Sequence, residues 1–452
     1  MKASYLKYKP HYADTLKLAI PVVISQVGHV AVHLSDSIVV GHFVGTVALA
    51  AVSLVGSLFI VPMLIGMGIS YGLTPLISQE NGRENYAECG RLLSNSFIIN
   101  IIAGVVLFLL MYFGSVYVLD HLDQSPEVVA LAKPFLVLLG FSIIPLLVFN
   151  TFKQFAEGLG FTKQAMQISI WGNVINICLG IIFVRGMFGI EPMGIKGVGY
   201  STLIDRCLMA VAMSFYVFRS ARFKQYLKGF AITQIDKVRS AKILKIGIPV
   251  ALQSTFEISA FGGANILIGT ISAVDQAAHQ VAINMAAVTF MVAMGLSSAA
   301  AIKSGNNFGA KNHQLHRLSA LSSYHIVLAF MSITAVVFVV ANQWLPWIIT
   351  NDTRVIAVAS QLLLLAAVFQ VFDGAQVVGL GILRGMGDVN IPTLITFIAY
   401  WIIGLPVGYF AGIYLGYGAI GVWVGLVFGL AAAAILLYIR FNKISRKLIL
   451  IR

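Results

Sequence analysis

The sequence predicts an all-α membrane protein with twelve transmembrane helices in two six-helix lobes, which are related by a parallel internal repeat. Three observations support this fold class. The 452-residue chain is 59% hydrophobic and 10% charged, whereas soluble domains carry about 25% charged residues. Apolar runs of about 18 to 28 residues recur along the whole chain, and a spanning helix needs this length. The two halves of the chain also share motifs in the same order.

The apolar runs divide the chain into twelve predicted spans. They cover residues 16–40, 46–73, 93–116, 130–152, 165–187, 197–218, 243–270, 276–302, 318–341, 354–383, 392–414 and 418–439. A long basic loop from 219 to 242 separates the sixth span from the seventh. We therefore predict an N-terminal lobe of residues 1–225 and a C-terminal lobe of residues 226–452. The first run is too long for a signal peptide and lacks a cleavage site, so we expect it to be retained.

The net charge of +13 reflects orientation in the membrane and not nucleic-acid binding. Lys and Arg concentrate in the loops on one side of the predicted spans and in the C-terminal tail. Because basic loops stay on the cytoplasmic side, both termini are predicted to be cytoplasmic. We expect no nucleic-acid partner.

The two halves of the chain contain matching motifs in the same order. LAIPVVISQ at Leu18 recurs as IGIPVALQS at Ile246, MGISYGLTPLISQENGREN at Met67 as MGLSSAAAIKSGNNFGAKN at Met294, and EGLG at Glu157 as RGMG at Arg384. Both halves hold six spans in the same orientation, which indicates a parallel duplication. In secondary transporters such a chain builds two lobes around a pseudo-two-fold axis along the membrane normal, with a cavity between them.

The first span carries four polar side chains on one face. At about 100° per residue, their spacing of three, four and three places them on a strip roughly 80° wide; they are Gln26, His29, His33 and Asp36. An ionised carboxylate at mid-membrane costs at least about 2.5–3.5 kcal/mol, so this face should line a protein interior or a wet cavity. The two histidines have no third ligand nearby, which disfavours a metal site. They fit cavity lining and helix packing equally well.

Two further acids lie inside predicted spans of the C-terminal lobe. Glu257 follows Gln253 by one turn, and Asp373 lies between Gln370 and Gln376. Carboxylate and amide oxygens suit Na⁺, and a desolvated carboxyl group can instead carry a proton. The other half repeats neither acid, which favours a functional role. The alternative is a buried acid satisfied by backbone groups or an arginine.

Asp205 is a weaker candidate, because Arg206 follows it directly. Neighbours at i and i+1 do not face each other on a helix, so the two are not a simple ion pair.

No other motif indicates an enzyme. The stretch from Gly385 to Asp388 has the G-x-G-D pattern of an intramembrane aspartyl protease, but no second aspartate is matched to it. We predict a glycine-rich turn with Asp388 as a helix cap. The sequence contains no P-loop, serine triad or zinc signature, and its three cysteines lack metal or redox spacing. A channel would need a filter-like half-span, which is not evident.

Several stretches carry a resemblance to one family over essentially the whole chain. They are Ser35–Gly41, Gly247–Pro249 followed by Glu257, Ala277–Ala282, and the run from Asp373 through Gly385 to Gly408. These stretches resemble the multidrug and toxic compound extrusion (MATE) family, NorM-like branch. The resemblance implies that Asp36 is the essential acid of the N-terminal lobe. It also implies that Glu257 and Asp373 bind the coupling ion, as a metal site for Na⁺ or as carriers of H⁺.

Further cavity residues follow from the resemblance and from the polar pattern. The resemblance assigns Asn176, Thr202, Phe290 and Asp352, and the pattern adds Gln26, His29, His33, Gln253 and Gln370. The family often has a second Asn or Asp one turn after the position of Asn176, where this chain has Gly180. This departure moves the ion-binding role towards Glu257 and Asp373, and leaves Asp36 to meet substrate or a proton.

The predicted function is cation-coupled antiport, with Na⁺ slightly favoured over H⁺. The protein would export cationic or amphipathic organic compounds by alternating access, as a monomer in the bacterial inner membrane whose partners are these compounds and membrane lipid. It would need no cofactor besides the coupling ion. The alternative is a flippase for a lipid-linked precursor, which would call for a cavity lined by Arg and Lys.

Overall fold

The computed structural model describes residues 2–121, 124–233 and 235–450, and twelve long helices follow one another in this part of the chain. They are α1 (Lys2–Phe43), α2 (Thr46–Gly82), α3 (Tyr86–His121), α4 (Pro126–Gly158), α5 (Thr162–Arg185), α6 (Ile195–Arg219), α7 (Lys237–Gly269), α8 (Ala273–Gly309), α9 (His313–Val340), α10 (Thr353–Gly385), α11 (Asn390–Tyr414) and α12 (Gly418–Leu450). The all-α prediction and the number of helices are confirmed.

Eleven of these helices are long and apolar enough to cross a membrane, and α7 is the exception among the described residues. Its central part is rich in polar side chains, namely Gln253, Ser254, Thr255, Glu257, Ser259 and Asn265. In a membrane protein such side chains face other protein groups or water and not lipid. The helix that departs most from a simple apolar span is therefore the one that carries Glu257.

The chain forms two compact units. The first unit comprises residues 24–251, and the second unit comprises residues 1–23 together with residues 252–452. This division differs from the predicted lobe boundary after residue 225 in two segments. The first 23 residues belong with the second unit, and residues 226–251 belong with the first.

Two glycines of the repeated motif explain this assignment. In the first unit, a Cβ added to Gly68 of α2 would lie 2.6 Å from the backbone nitrogen of Ala251 on α7. In the second unit, a Cβ added to Gly295 of α8 would lie 2.9 Å from the backbone nitrogen of Val23 on α1. Small residues allow helix backbones in a membrane protein to approach closely. Each glycine therefore packs against a segment that comes from the other half of the sequence repeat.

Each unit has an apolar core of its own. In the first unit, Phe59 of α2 packs with Leu136 of α4 and Val198 of α6. In the second unit, Leu363 of α10 packs with Trp423 of α12 and with residues of α7 and α8. Lipid tails are as apolar as these side chains, so close packing holds the helices together more than removal from water does.

Helix α11 contains two stretches with the wide turns of a π-helix, Ile398–Gly404 and Phe410–Tyr414. Pro406 follows the first stretch and lacks the N–H that a regular α-helix would use. A Cβ added to Gly425 of α12 would lie 2.5 Å from the Gly404 carbonyl oxygen, so α11 and α12 are in backbone contact here. Wide turns of this kind are frequent at functional sites, and the first one carries Tyr400.

The turn at Gly385 corrects one prediction. Asp388 is not a helix cap; its carboxylate accepts two hydrogen bonds from Arg440 of α12, at 2.6 and 2.8 Å. The N-cap residue, immediately before α11, is Val389, whose side chain makes no capping bond. A bidentate Arg–carboxylate pair is stronger than a capping bond between neutral groups. Asp388 therefore links the turn to α12 through Arg440.

The connection between α6 and α7 is also folded against its own unit. Arg239 donates to both oxygens of Glu88 at the start of α3, at 2.7 and 2.9 Å. The backbone nitrogen of Ala231 donates to Ser94 Oγ at 2.9 Å. This basic segment is therefore part of the first unit and does not act as a free linker.

Candidate functional site

The second unit brings together the two acids that the sequence singles out. Asp373 on α10 is 3% exposed, and Glu257 on α7 is half-buried. The Tyr400 hydroxyl donates to Glu257 Oε1 at 3.3 Å and to Gln376 Oε1 at 2.9 Å. Gln376 follows Asp373 by one turn on α10, and the charges of Asp373 and Glu257 act on each other. Three helices thus converge on this pair of carboxyl groups.

Tyr400 has one hydroxyl proton and two acceptors within reach. It can donate fully to only one of them at a time. If the Gln376 amide is turned by 180°, its nitrogen donates to the tyrosine oxygen, and the hydroxyl proton is then free for Glu257. The Tyr400 hydroxyl can therefore change its hydrogen-bond partner when the charge of Glu257 changes, without movement of a helix.

Helix α10 presents a column of buried polar atoms that have no hydrogen-bond partner among the described residues. They are Gln370 Oε1 and Nε2, Asp373 Oδ1 and Gln376 Nε2. An unsatisfied buried polar atom costs about 1–3 kcal/mol, and in native proteins it usually reflects a ligand, an ion or ordered water. The oxygens in this column and the Glu257 carboxylate are the type of ligand that hard cations take. The donor set therefore fits Na⁺, and it also fits a proton shared between the two carboxyl groups.

No basic side chain neutralises this pair in the part of the chain that the structure describes. Within residues 2–121, 124–233 and 235–450, neither Glu257 nor Asp373 has an ion pair within 4.0 Å. Two carboxylates in a low-dielectric environment need a compensating positive charge. The site is therefore suited to a mobile cation.

The other predicted residues of the second unit lie in three different settings. Gln253 donates to Thr393 Oγ1 at 2.9 Å, and so joins α7 to α11. Phe290 is half-buried against the apolar cluster around Leu380. Asp352 caps α10 by accepting from the Arg354 backbone at 2.9 Å, and it also forms an ion pair with the Arg354 side chain at 3.1 Å.

The first unit contains the predicted polar face of α1. Gln26, His29 and Asp36 are half-buried, and His33 is exposed. Gly28 on the same helix touches Asn173 of α5, where an added Cβ would overlap the Asn173 amide. This close approach brings the polar face of α1 next to α5.

Asn176 and Thr202, predicted as companions, are in contact. The Asn176 amide donates to Thr202 Oγ1 at 3.4 Å, and both residues are buried. Asn176 Oδ1 has no partner in the described part of the chain. Asp205 and Arg206 follow on α6, and both are buried, with 4% and 8% exposure. Neither of them reaches an outer surface.

Lys153 and Glu157 differ from the sequence prediction, which placed the end of the fourth span at residue 152. Helix α4 continues to Gly158, and the two side chains are 5% and 3% exposed. Lys153 Nζ lies 4.0 Å from Glu157 Oε1, at the i,i+4 spacing that favours an ion pair. The first unit therefore buries more charge than the sequence indicated, and part of it is basic.

Sequence reasoning also missed Tyr400. The signal was a single hydroxyl within the apolar run FIAYWIIG, close to Gly404 and Pro406. For Lys153 and Glu157 the signal was their i,i+4 spacing. Arg206 was visible as a basic residue within a predicted span, but only its neighbour Asp205 was named as a candidate.

Comparison with known proteins identifies the family. The MatE family model matches residues 21–182 and again residues 249–410, so it recognises each half of the repeat separately. The multidrug resistance protein MdtK of Yersinia pseudotuberculosis serotype O:1b (strain IP 31758) is 33% identical over 449 residues, which is 98% of this chain and 97% of that protein. The multidrug resistance protein NorM of Photobacterium profundum is 32% identical, over 97% of this chain and 96% of that protein.

The fold agrees with this assignment. A crystal structure of a MATE protein in the bent conformation superposes with a TM-score of 0.89 at 20% identity, over 99% of this chain and 98% of that one. The resemblance stated from the sequence is confirmed, and this multi-pass membrane protein belongs to the MatE family, the multidrug and toxic compound extrusion transporters.

Proposed function

We propose that this protein is a cation-coupled antiporter that exports cationic or amphipathic organic compounds by alternating access. The observation that carries the proposal is the pair Glu257 and Asp373, two acids without a basic partner among the described residues, beside a column of unsatisfied amide groups. Its membership of the family and the names of its bacterial relatives, multidrug resistance proteins, support export of drug-like compounds.

The coupling ion is Na⁺ or H⁺, bound at Glu257 and Asp373. Na⁺ is favoured because the amide oxygen of Gln370 and the free carboxylate oxygen of Asp373 supply neutral and charged ligands together. Tyr400 supplies a donor that can shift between Glu257 and Gln376 as the charge changes. Binding of the ion neutralises the two carboxylates and so changes which conformation is stable.

Asp36 is the proposed contact for the positive charge of the substrate. It is half-buried and shares one face of α1 with His29 and Gln26. An aromatic or aliphatic cation would meet this carboxylate among apolar side chains, which is the environment in which a charge–charge contact is strongest. The bacterial relatives support a location in the inner membrane, and the distribution of basic loops supports cytoplasmic termini.

The alternative, a flippase for a lipid-linked precursor, gains one argument from the structure. Arg206 and Lys153 are buried in the first unit, and an anionic substrate would need such groups. Lys153 is already paired with Glu157. The positive charge of Arg206 interacts with the negative charges of Asp205 and Asp36. The acids outnumber the bases, so cation export is the better supported function.

The test is export of a fluorescent organic cation by the purified full-length protein in proteoliposomes, with Na⁺ and pH gradients imposed separately. We expect transport to follow at least one of the two gradients. Transport driven by neither gradient would overturn the antiporter proposal. Translocation of a fluorescent lipid-linked precursor without any cation gradient would favour the flippase.

A further inference from the structure

Arg206 is a buried cation that the proposed transport reaction does not use. It is 8% exposed on α6, inside the first unit. Its Nη1 donates to Ser142 Oγ at 2.6 Å, at the break in the middle of α4. Its guanidinium carbon lies 5.3 Å from the ring centroid of Phe59 on α2. A hydroxyl and an aromatic face, both uncharged, hold the guanidinium.

The acids near Arg206 are left without direct partners in the described part of the chain. Asp205 Oδ1 is buried and accepts no hydrogen bond from any described residue. Asp36 is half-buried on α1, and the charges of Arg206 and Asp205 both act on it. Among the described residues, none of these three side chains takes part in an ion pair within 4.0 Å. The guanidinium thus interacts with two carboxylates through their charges but forms an ion pair with neither.

The charge balance of this cluster leaves room for one cation. Lys153 and Glu157 form a pair and cancel. With His29 and His33 neutral, the remaining charges are the two carboxylates of Asp36 and Asp205 and the guanidinium, which sum to −1. A guanidinium stays protonated under all ordinary conditions, so its charge is a fixed part of the unit. A substrate with a single positive charge would bring the net charge of this cluster to zero.

We propose that Arg206 is a resident counter-cation of the first unit: held on Ser142 and Phe59, it offsets part of the negative charge of Asp36 and Asp205 and leaves room for one organic monocation at Asp36. On this proposal the first unit binds one substrate cation and no coupling ion. It rests on the proposed function in assigning the substrate cation to Asp36 and the coupling ion to Glu257 and Asp373.

The physical reason is that an unpaired carboxylate in a low-dielectric interior is strongly unfavourable. A tethered guanidinium offsets part of this charge whether or not a substrate is bound, and its repulsion weakens the binding of a second cation at Asp36. Ser142 and Phe59 hold the guanidinium in place through a hydrogen bond and a cation–π contact.

The test is equilibrium binding to purified full-length protein in nanodiscs, with tetraphenylphosphonium and radioactive Na⁺ as the two probes. Arg206→Gln should tighten tetraphenylphosphonium binding by about tenfold, because the repulsion between the guanidinium and the bound cation is removed. It should also create an additional Na⁺ site that Asp36→Asn abolishes. In the otherwise unchanged protein, Asp36→Asn should leave Na⁺ binding intact. Arg219→Gln is the matched control, since Arg219 lies exposed on the same helix and also contacts an aromatic ring, that of Phe215.

Unchanged tetraphenylphosphonium affinity and unchanged Na⁺ stoichiometry in folded Arg206→Gln would overturn the proposal, and so would loss of Na⁺ binding in Asp36→Asn alone. Absence of any Na⁺ site sensitive to Glu257→Gln would count against sodium coupling instead, while the effect of Arg206→Gln on tetraphenylphosphonium would still decide the present proposal. If Arg206→Gln is not monodisperse, Arg206→Met replaces it, since this variant also removes the positive charge and keeps a long side chain. Affinity should again rise, and an unchanged affinity would refute the proposal.

Discussion

The two units treat buried acids in opposite ways. In the second unit, Glu257 and Asp373 have no basic partner in the described part of the chain, and unsatisfied amide atoms lie beside them. In the first unit, the positive charge of Arg206 interacts with the negative charges of both Asp36 and Asp205. One unit therefore leaves its acids without a fixed positive charge, whereas the other carries part of its compensating charge in Arg206. The duplication kept the scaffold, and the difference between the units lies in where the positive charge comes from.

The comparison also shows that sequence symmetry and charge symmetry are independent. By the repeat offset, Glu257 corresponds to His29, and Asp373 corresponds to Leu146. The motif glycines Gly68 and Gly295 are repeated and make equivalent contacts. Packing positions were preserved in both halves, whereas the positions of the acids were not.

The largest expected effect comes from removing an acid of the second unit. Glu257→Gln or Asp373→Asn should lower gradient-driven export of a fluorescent cation by about 100-fold, corresponding to about 2.7 kcal/mol. The neutral amide cannot bind the coupling ion with a full charge. Transport in proteoliposomes measures this, with Glu127→Gln at the exposed start of α4 as the control. Full gradient-driven export by either variant would place the coupling site elsewhere.

The equivalence of the two packing contacts can be tested at Gly68 and Gly295. Gly68→Ala and Gly295→Ala should each destabilise the protein by about 1–3 kcal/mol, because the new methyl group overlaps a neighbouring backbone. Thermal unfolding in detergent measures this. Gly56→Ala and Gly262→Ala are the controls, since an added Cβ meets no described atom within 4 Å at either position. A large loss at one motif glycine and none at the other would show that the two contacts are not equivalent.

A smaller effect is expected at Tyr400, which has no charge of its own. Tyr400→Phe removes the donor to Glu257 and Gln376, a hydrogen bond of about 1 kcal/mol, so the apparent affinity for the coupling ion should fall about fivefold. The half-saturating ion concentration for export reports it. Tyr409→Phe, on an exposed position of the same helix, should have no effect. An unchanged ion dependence in Tyr400→Phe would remove Tyr400 from the site.

The smallest effect concerns the exposed end of α10. The hydrogen bond from the Arg354 side chain and those from the backbone lower the pKa of Asp352 below its ordinary value. A lowered folded-state pKa stabilises the protein above the unfolded pKa, and this contribution is lost as the pH falls through the folded pKa. Asp352→Asn should therefore lower the unfolding temperature slightly at pH 7, and the difference from the unaltered protein should begin to shrink below about pH 4 and vanish once the pH is below the lowered pKa of Asp352. A difference that is independent of pH would contradict this account.

Much of the fold could be predicted because helix length, glycine register and charge placement are local properties. The twelve spans follow from apolar runs, and the repeat follows from aligned prolines and glycines. Glu257 and Asp373 stood out because an acid within an apolar run is costly wherever the helix lies. The coupling ion and the substrate contacts stay predictions.

The rest depended on tertiary contacts. Lys153 was taken for a loop residue because a charge commonly ends a span, but burial beside Glu157 allows α4 to continue past it. Asp388 resembled a cap until Arg440, 52 residues later, supplied a partner. Tyr400 has the composition of an ordinary packing residue, and only the wide turn of α11 directs it to Glu257.

The contacts of Gly68 and Gly295 bear on the origin of the molecule. Gly68 packs against Ala251, and Gly295 packs against Val23, so each six-helix half of the sequence completes its packing with a segment from the other half. A protein consisting of one such half would have to obtain that segment from a second copy, which is the arrangement of a domain-swapped dimer. In the present chain both segments belong to one polypeptide, so the exchange is intramolecular. Two separately expressed halves should accordingly be stable only when they are produced together.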